Sequence, residues 1–528
     1  MLETSSSYRG MVVAPHRLAA QAGLRVLQDG GNAIEAMVAA ASAISVVYPH
    51  MNSIGGDNFW LISKGGKVWG VESCGAAGAY VTIKNYSERG LQEIPARGGD
   101  AAITVAGAVA GWEAALKLSR EFGGRLPLTR LLEDAIWYAK EGFPVSKNLS
   151  ETISSKRSEL LNIGGFEELF LINGGVPEAG SMLRLPKLGS TLEFLSQAGL
   201  NDFYIGDVGS EIVRDLERLG SPLKKEDFIE HCAKLVEPLS LRLSGGRVFN
   251  MPPPTQGLAS LIILGILERL DPVMDTTPEF VHSIVEATKK AFEVRDEFIT
   301  DPSFMTVSPK KYLSEVFLDE MAEGISSKSA APWPNTSDIG DTVWLGAADS
   351  DGCVVSFIQS IYWEFGSGVV LPGTGITWQN RGKSFSLDAE SVNALIPRKK
   401  PFHTIQPALG FTNDGDVLSY GCMGGDGQPQ TQAMLYSRIV GMGQGIQEAI
   451  TAPRWLLGRT WGDTTTKLRI EGRFPEETIQ RLSELGHELE VLDDFDEITG
   501  HAGAVRVKSN GLIEGGGDPR SDGVAVGF

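Results

Sequence analysis

Gly340-Asp341-Thr342-Val343-Trp344-Leu345-Gly346-Ala347-Ala348-Asp349-Ser350-Asp351-Gly352, followed by Cys353-Val354-Val355-Ser356-Phe357-Ile358-Gln359-Ser360-Ile361-Tyr362, is the stretch around which the chain can be read. Two runs of β-branched, aromatic and small residues flank Asp351-Gly352, a pair that turns a hairpin because glycine reaches positive φ without steric cost. Thr342 therefore opens a strand. Residues 324–340 ahead of it are rich in serine, proline and small side chains, carry neither a helical nor a strand period, and read as an exposed, cleavable loop. A hydroxyl at the junction of such a loop and a buried strand has two readings. It is a threonine that begins a strand, or it is a nucleophile that becomes N-terminal when the Asp341 to Thr342 bond is cut. In the second case the new α-amino group, with a pKa near ~8, is the base for the Thr342 hydroxyl.

The 528 residues are enough for two or three cores or one large fused unit. A formal net charge of -19 argues against nucleic acid and anionic membrane as partners. Cys74, Cys232, Cys353 and Cys422 have no C-x-x-C spacing, and the seven histidines show no H-E-x-x-H pattern, so neither a metal nor a cofactor is expected. No apolar run reaches the roughly 18 residues of a membrane span, and residues 1–10 lack a basic region followed by an apolar run. A cytoplasmic location is the expectation.

Taken in order, residues 16–30 read as an amphipathic helix ended by Gly30-Gly31, and Asn32 starts a second helix to Val47 that is apolar on nearly every side. Ile54-Gly55-Gly56-Asp57-Asn58 leads from a glycine turn into a strand, and Gly65-Gly66 turns into another at 68–71. The glycine pairs suit a phosphate, but no G-K-[ST] and no G-x-G-x-x-G after a strand accompanies them, so a nucleotide is not expected. From 104 to about 299 helical spacing dominates, at 111–122, 128–139, 190–198, 210–219 and 281–299, with strands at 239–243 and 247–251. After Thr342 the chain turns to short strands with turns at Gly373-Thr374-Gly375, Asn413-Asp414-Gly415-Asp416 and Asn510-Gly511, and to helices at 430–441 and 475–485. Sheets sandwiched between helical layers are the architecture this order suggests.

Four blocks stand in a fixed order: Asp29-Gly30-Gly31-Asn32-Ala33-Ile34-Glu35-Ala36, Gly340-Asp341-Thr342 with its hairpin, Ser419-Tyr420-Gly421-Cys422-Met423-Gly424-Gly425-Asp426-Gly427, and Asp518-Pro519-Arg520-Ser521-Asp522-Gly523. Together they resemble the gamma-glutamyltranspeptidase family of N-terminal nucleophile hydrolases, over essentially the whole chain. The resemblance implies an α+β, four-layer αββα fold and a precursor that cuts itself between Asp341 and Thr342, giving a large subunit of 1–341 and a small one of 342–528. It implies attack by Thr342 on an amide carbonyl, a hydrogen bond from Ser360 to the nucleophile, and an oxyanion hole at Gly424 and Gly425, whose alternative is a plain strand-to-helix turn.

Departures from the family pattern bear on the substrate. Residues 72–84 hold no arginine where the family grips an α-carboxylate, and Lys383 and Ser384 replace an acidic pair that grips an α-ammonium. His403-Thr404 replaces paired serines, and Tyr362 replaces an asparagine. A cation at Lys383 would repel an ammonium by a few kcal/mol at short range. Arg381, Arg398, Lys399, Lys400 and His403 are then candidates for a plain carboxylate, the basic run 398–400 being equally readable as a solvated loop. Within the wider family, members with such changes look like enzymes for oxamate or for dicarboxylic monoamides, so the substrate that the resemblance implies is a small acidic amide, with oxamate first. The alternatives are a gamma-glutamyl transferase or glutathione hydrolase, and an unprocessed protein that only binds a ligand. The expected partners are that small molecule and the two cleaved subunits of one heterodimer, a homo-oligomer of which is compatible with the sequence.

Overall fold

The computed structural model describes residues 3–272, 276–333, 341–458 and 465–528, and the backbone alone of Asp341. Part of the loop expected at 324–340, namely 334–340, lies outside these residues. Among the described residues no helix is long and apolar enough to cross a membrane.

The hairpin forms as its sequence dictates, with strands Asp341–Asp349 and Val354–Tyr362 paired antiparallel and Gly352 at φ 78° in the turn. Asp349 fixes the turn, accepting from the N–H groups of Asp351 (3.0 Å) and Cys353 (2.9 Å). Its other oxygen accepts from Ala33 N–H (2.9 Å), tying the hairpin to the first turn of helix Ala33–Val47. That helix is capped by Asn32, with Glu35 returning the bond, and all of its residues are buried.

Two seven-stranded antiparallel sheets carry the fold. The first runs Val524–Gly527, Gly10–Ala14, Asp341–Asp349, Val354–Tyr362, Asp57–Lys64, Lys67–Ser73, Lys234–Val236. The second runs Ser5–Ser7, Ile513–Gly517, Ala502–Val507, Val417–Cys422, Ala408–Thr412, Gly246–Asn250, Leu239–Leu243. Alternation along the strand starting at Asp341 assigns its two faces, since successive side chains point opposite ways. Val343, Leu345 and Ala347 join the core under helices Arg17–Gln28 and Ala33–Val47, while Trp344 and Ala348 join Leu409, Val505 and Ile513 between the sheets. Helices Gly257–Leu270, Pro278–Phe298 and Gly427–Tyr436 cover the far side of the second sheet. The layers are thus helix, sheet, sheet, helix, as the resemblance implies.

Trp344 shows how closely the sheets approach. A Cβ at Gly421 would lie 2.2 Å from its Cδ1 and one at Gly503 2.4 Å from its Cζ3, so only glycine fits on the facing strands. The indole N–H, buried with the ring, donates to Ser356 Oγ at 3.0 Å.

Differences from the sequence reading are local. The helix expected at 128–139 is two, Leu128–Leu131 and Glu133–Glu141, separated at Leu132, where φ is -95° and ψ is -3°. The helix expected at 430–441 starts at Gly427 and gives way at Ser437–Gly441 to a wider π turn, where the buried Arg438 guanidinium donates to the carbonyls of Ala449 and Pro453. Strands Ser5–Ser7, Gly10–Ala14 and Val524–Gly527 were not expected, being too short to show a period.

Candidate active site

Thr342 is fully buried near the open end of its strand. The pairing with Val354–Tyr362 slips there: Asp341 faces Tyr362 and Val343 faces Gln359, so Thr342 stands alone opposite Ser360 and Ile361. Such a bulge re-aims a side chain at a strand end. Gln428 Nε2 donates to Thr342 Oγ1 at 3.3 Å, which brings the start of helix Gly427–Tyr436 onto the hydroxyl.

Gly424 and Gly425 form the turn before that helix, at φ 103° and 41°, values that a side chain would strain. Their carbonyls are tied back into the protein, Gly424 O to Gly427 N–H (2.6 Å) and Gly425 O to Gln256 Nε2 (2.8 Å). Gln256 in turn accepts from Arg295 Nη1 at 3.0 Å, and Arg295 is ion-paired with Asp426, both fully buried. A turn fixed through its carbonyls can hold its N–H groups steady, as an oxyanion receptor requires.

Arg381 is fully buried. Nη2 donates to Ser360 Oγ at 3.4 Å, Nη1 to Thr404 Oγ1 at 3.3 Å, and the guanidinium carbon lies 4.2 Å from the centre of the Tyr362 ring. Among the described residues Arg381 makes no direct ion pair, the carboxylate that acts on it being that of Asp57, and its Nε makes no hydrogen bond. Burial lowers its pKa to about 10, which still leaves a cation at neutral pH. Tyr362 sits at φ 81°, a costly angle for a non-glycine residue. Ser360 Oγ accepts from the Tyr362 N–H at 2.8 Å, which helps hold that angle.

The other expected residues divide by partner. His403 is buried, and neither ring nitrogen has a hydrogen-bond partner. Burial, then Arg381 and Lys400, hold its pKa well below the ordinary value, so it is a neutral imidazole that can offer one N–H. Ser384 Oγ donates to the carbonyls of Arg381 (3.0 Å) and Phe402 (3.1 Å), locking the Arg381–Ser384 turn against the stretch that carries His403 and Thr404. Lys383 Nζ lies 2.7 Å from Glu93, which offsets its charge. Arg398 pairs with Glu230 (2.9 Å), Lys399 donates to the carbonyls of Val392 and Ala394, and Lys400 pairs with Glu72. Of the basic candidates, Arg381 is the one brought to Ser360.

Sequence reasoning missed Gln428, Gln256 and Asp57. The first two follow no spacing rule, since tertiary packing alone brings them to Thr342 and Gly425. Asp57 was passed over as the end of a glycine turn. It is fully buried, directly opposite Ser360 in the neighbouring strand, with Oδ1 accepting from Gly107 (2.9 Å) and Gly75 (3.2 Å) and Oδ2 lying 3.8 Å from His403 Nε2.

One group among the described residues brings possible metal-ligand atoms together, His282, Glu286 and His487. Its members satisfy one another and the 326–331 segment instead: His282 Nδ1 is 2.8 Å from His487 Nε2, His282 Nε2 is 2.8 Å from Ser326 O, and Glu286 is paired with Lys289 and accepts from Ala331 N–H.

The sequence profile described as Gamma-glutamyltranspeptidase matches residues 19–528. The chain is 51% identical over 530 residues to the oxamate amidohydrolase proenzyme of Klebsiella pneumoniae subsp. pneumoniae, with 100% of each chain covered. It is 42% identical to the glutathione hydrolase-like YwrD proenzyme of Bacillus subtilis, with 98% of each covered. Among solved structures, the cephalosporin acylase from Bacillus halodurans superposes with a TM-score of 0.92 at 34% identity, covering 100% of this chain and 97% of that one.

Proposed function

The chain belongs to the gamma-glutamyltranspeptidase family of amide-cleaving enzymes, and on that premise we propose that it is a self-processing threonine hydrolase for a small amide whose acyl part bears a free carboxylate, with oxamate the first substrate to try. The observation that carries the reading is Arg381: a buried guanidinium with no carboxylate in direct ion-pair contact among the described residues, hydrogen-bonded to Ser360, which stands opposite Thr342 at the hairpin bulge. A buried cation without a direct ion pair is costly, so a site that keeps one favours an incoming anion. Because Arg381 reaches Ser360 itself, the anion it receives stands close to the scissile carbonyl, as in an acyl group as short as oxamate's.

The chemistry follows from the groups present. In the precursor, Thr342 Oγ attacks the carbonyl carbon of residue 341, the 341–342 C–N bond breaks as its nitrogen takes up the hydroxyl proton, and water hydrolyses the resulting ester to a carboxylate on residue 341 and a free Thr342 hydroxyl, so that residues 1–341 and 342–528 become separate subunits. The freed α-amino group then takes the proton of Thr342 Oγ as that oxygen attacks the substrate amide. The tetrahedral oxygen is received by the N–H groups of Gly424 and Gly425, with Ser360 and Gln428 orienting the hydroxyl. Ammonia departs with the proton held by the α-ammonium, and water resolves the acyl-enzyme to release a dicarboxylate. The four free cysteines suit a reducing compartment, and we place the enzyme's work in the cytoplasm.

Glutathione hydrolysis is the second reading, and Lys383 keeps it open, because its pairing with Glu93 weakens the repulsion expected for a glutamyl ammonium. Ammonia release from oxamate, set against nitroanilide release from a gamma-glutamyl anilide, separates the two. Turnover of the anilide alone would overturn the proposal.

A further inference from the structure

Two residues hold Arg381, and both lead to Asp57. Ser360, which accepts from Nη2, is the strand partner of Asp57, and Thr404, which accepts from Nη1, follows His403, whose Nε2 is 3.8 Å from Asp57 Oδ2. The carboxylate is fully buried, is anchored through Oδ1 to two backbone N–H groups, and stops short of a direct ion pair with the guanidinium. We infer that Asp57 is a positioning residue for Arg381 and that its charge competes with a substrate carboxylate for the same cation, so that Asp57 sets the pocket's affinity for acidic acyl groups. This rests on the carboxylate-binding role of Arg381 proposed above.

The charged and titratable groups that face Asp57 are Arg381, His403, Cys74 and Tyr204, with Lys400 beyond Cys74. Burial, against the pull of Arg381 and the backbone bonds, raises the Asp57 carboxyl to about 7. Below that pH the group is neutral and Arg381 presents its full charge to a ligand. Above it, the carboxylate offsets that charge inside a low-dielectric site, and a second anion binds less well. His403 stays neutral through this range and Arg381 stays charged, while the α-amino group of Thr342, with a pKa near ~8, titrates alike in wild type and Asp57→Asn, so the part of the change that this variant removes belongs to Asp57.

The test uses the processed enzyme and reads KM apart from kcat. For oxamate, KM should rise up to ~10-fold between about pH 6 and pH 8, the most a single ionisation centred near pH 7 can give across that window. For oxamide, its uncharged diamide counterpart, KM should stay level. Asp57→Asn keeps the shape and the two backbone bonds and should flatten the oxamate profile. An unchanged pH dependence of KM in Asp57→Asn overturns the inference. So does a wild-type oxamate KM that is level through this range, a result that needs no variant to fold. Arg381→Ala separates the two claims: if it leaves the oxamate KM as it was, the carboxylate reading itself fails, whereas a raised KM beside an inert Asp57→Asn sinks only the role of Asp57.

Discussion

On the proposed mechanism Thr342→Ala removes the oxygen that cuts the chain before residue 342 and then attacks substrate, so this variant should stay as a single 56.7 kDa chain without amidase activity. Thr342→Ser keeps the oxygen and should process and turn over, more slowly. Arg381→Ala is a different kind of loss. It takes away the charge-assisted bonds proposed for the acyl carboxylate, and should raise KM for oxamate by ~100-fold, about 3 kcal/mol, while processing continues. The base also has a pH signature. An α-amino group with a pKa near ~8 acts only when unprotonated, so kcat should fall on the acid side of that value, which steady-state rates across pH will read.

At the scale of elements, the blocks that carry the family pattern divide into chemistry and scaffold. Asp518 and Arg520 belong to the second class: Asp518 is paired with Arg454 and with Arg520 (3.1 Å), and Arg520 with Glu471 (2.6 Å), all fully buried at the end of the second sheet. Breaking such a network leaves unpaired charge, so Asp518→Asn should cost ~3–5 kcal/mol in chemical denaturation. Burial alone would raise the Asp518 carboxyl, but Arg454 and Arg520 outweigh it and hold it below the ordinary range. Its stabilisation is therefore complete above the unfolded carboxyl pKa of ~3.9 and lost only as pH falls through the lower folded value. The gap in thermal midpoint between wild type and Asp518→Asn should accordingly stay constant down to about pH 4 and close below it. The hairpin, the buried helix Ala33–Val47 and the Gly424-Gly425 turn were legible in sequence because each rests on local chemistry, a turn pair, a cap or a backbone angle. Gln428, Gln256 and Asp57 were not, since they reach the site across long stretches of chain, 86 residues for Gln428 to Thr342 and 169 for Gln256 to Gly425, and through strand pairing for Asp57 to Ser360. The basic run at 398–400 looked like part of the site because sequence gives charges without their partners; Glu230, Glu72 and two backbone carbonyls account for them.

For the whole molecule, the first sheet is woven from both sides of the proposed cut. Strand Asp341–Asp349 lies against Gly10–Ala14, and Val354–Tyr362 against Asp57–Lys64, so residues 1–341 and 342–528 share one set of hydrogen bonds and one core. The cleaved pieces should therefore elute as a single particle under native conditions and part only in denaturant, as bands near ~37 and ~20 kDa, splitting 56.7 kDa by length. Residues 342–528 expressed alone should not fold, for two neighbouring strands and a covering helical layer would be missing. The most direct measurement is Edman sequencing of the smaller band from active enzyme. The account predicts Thr-Val-Trp-Leu, a free amine on residue 342; a blocked or different N-terminus in fully active protein, or full activity from an uncut chain, would contradict it.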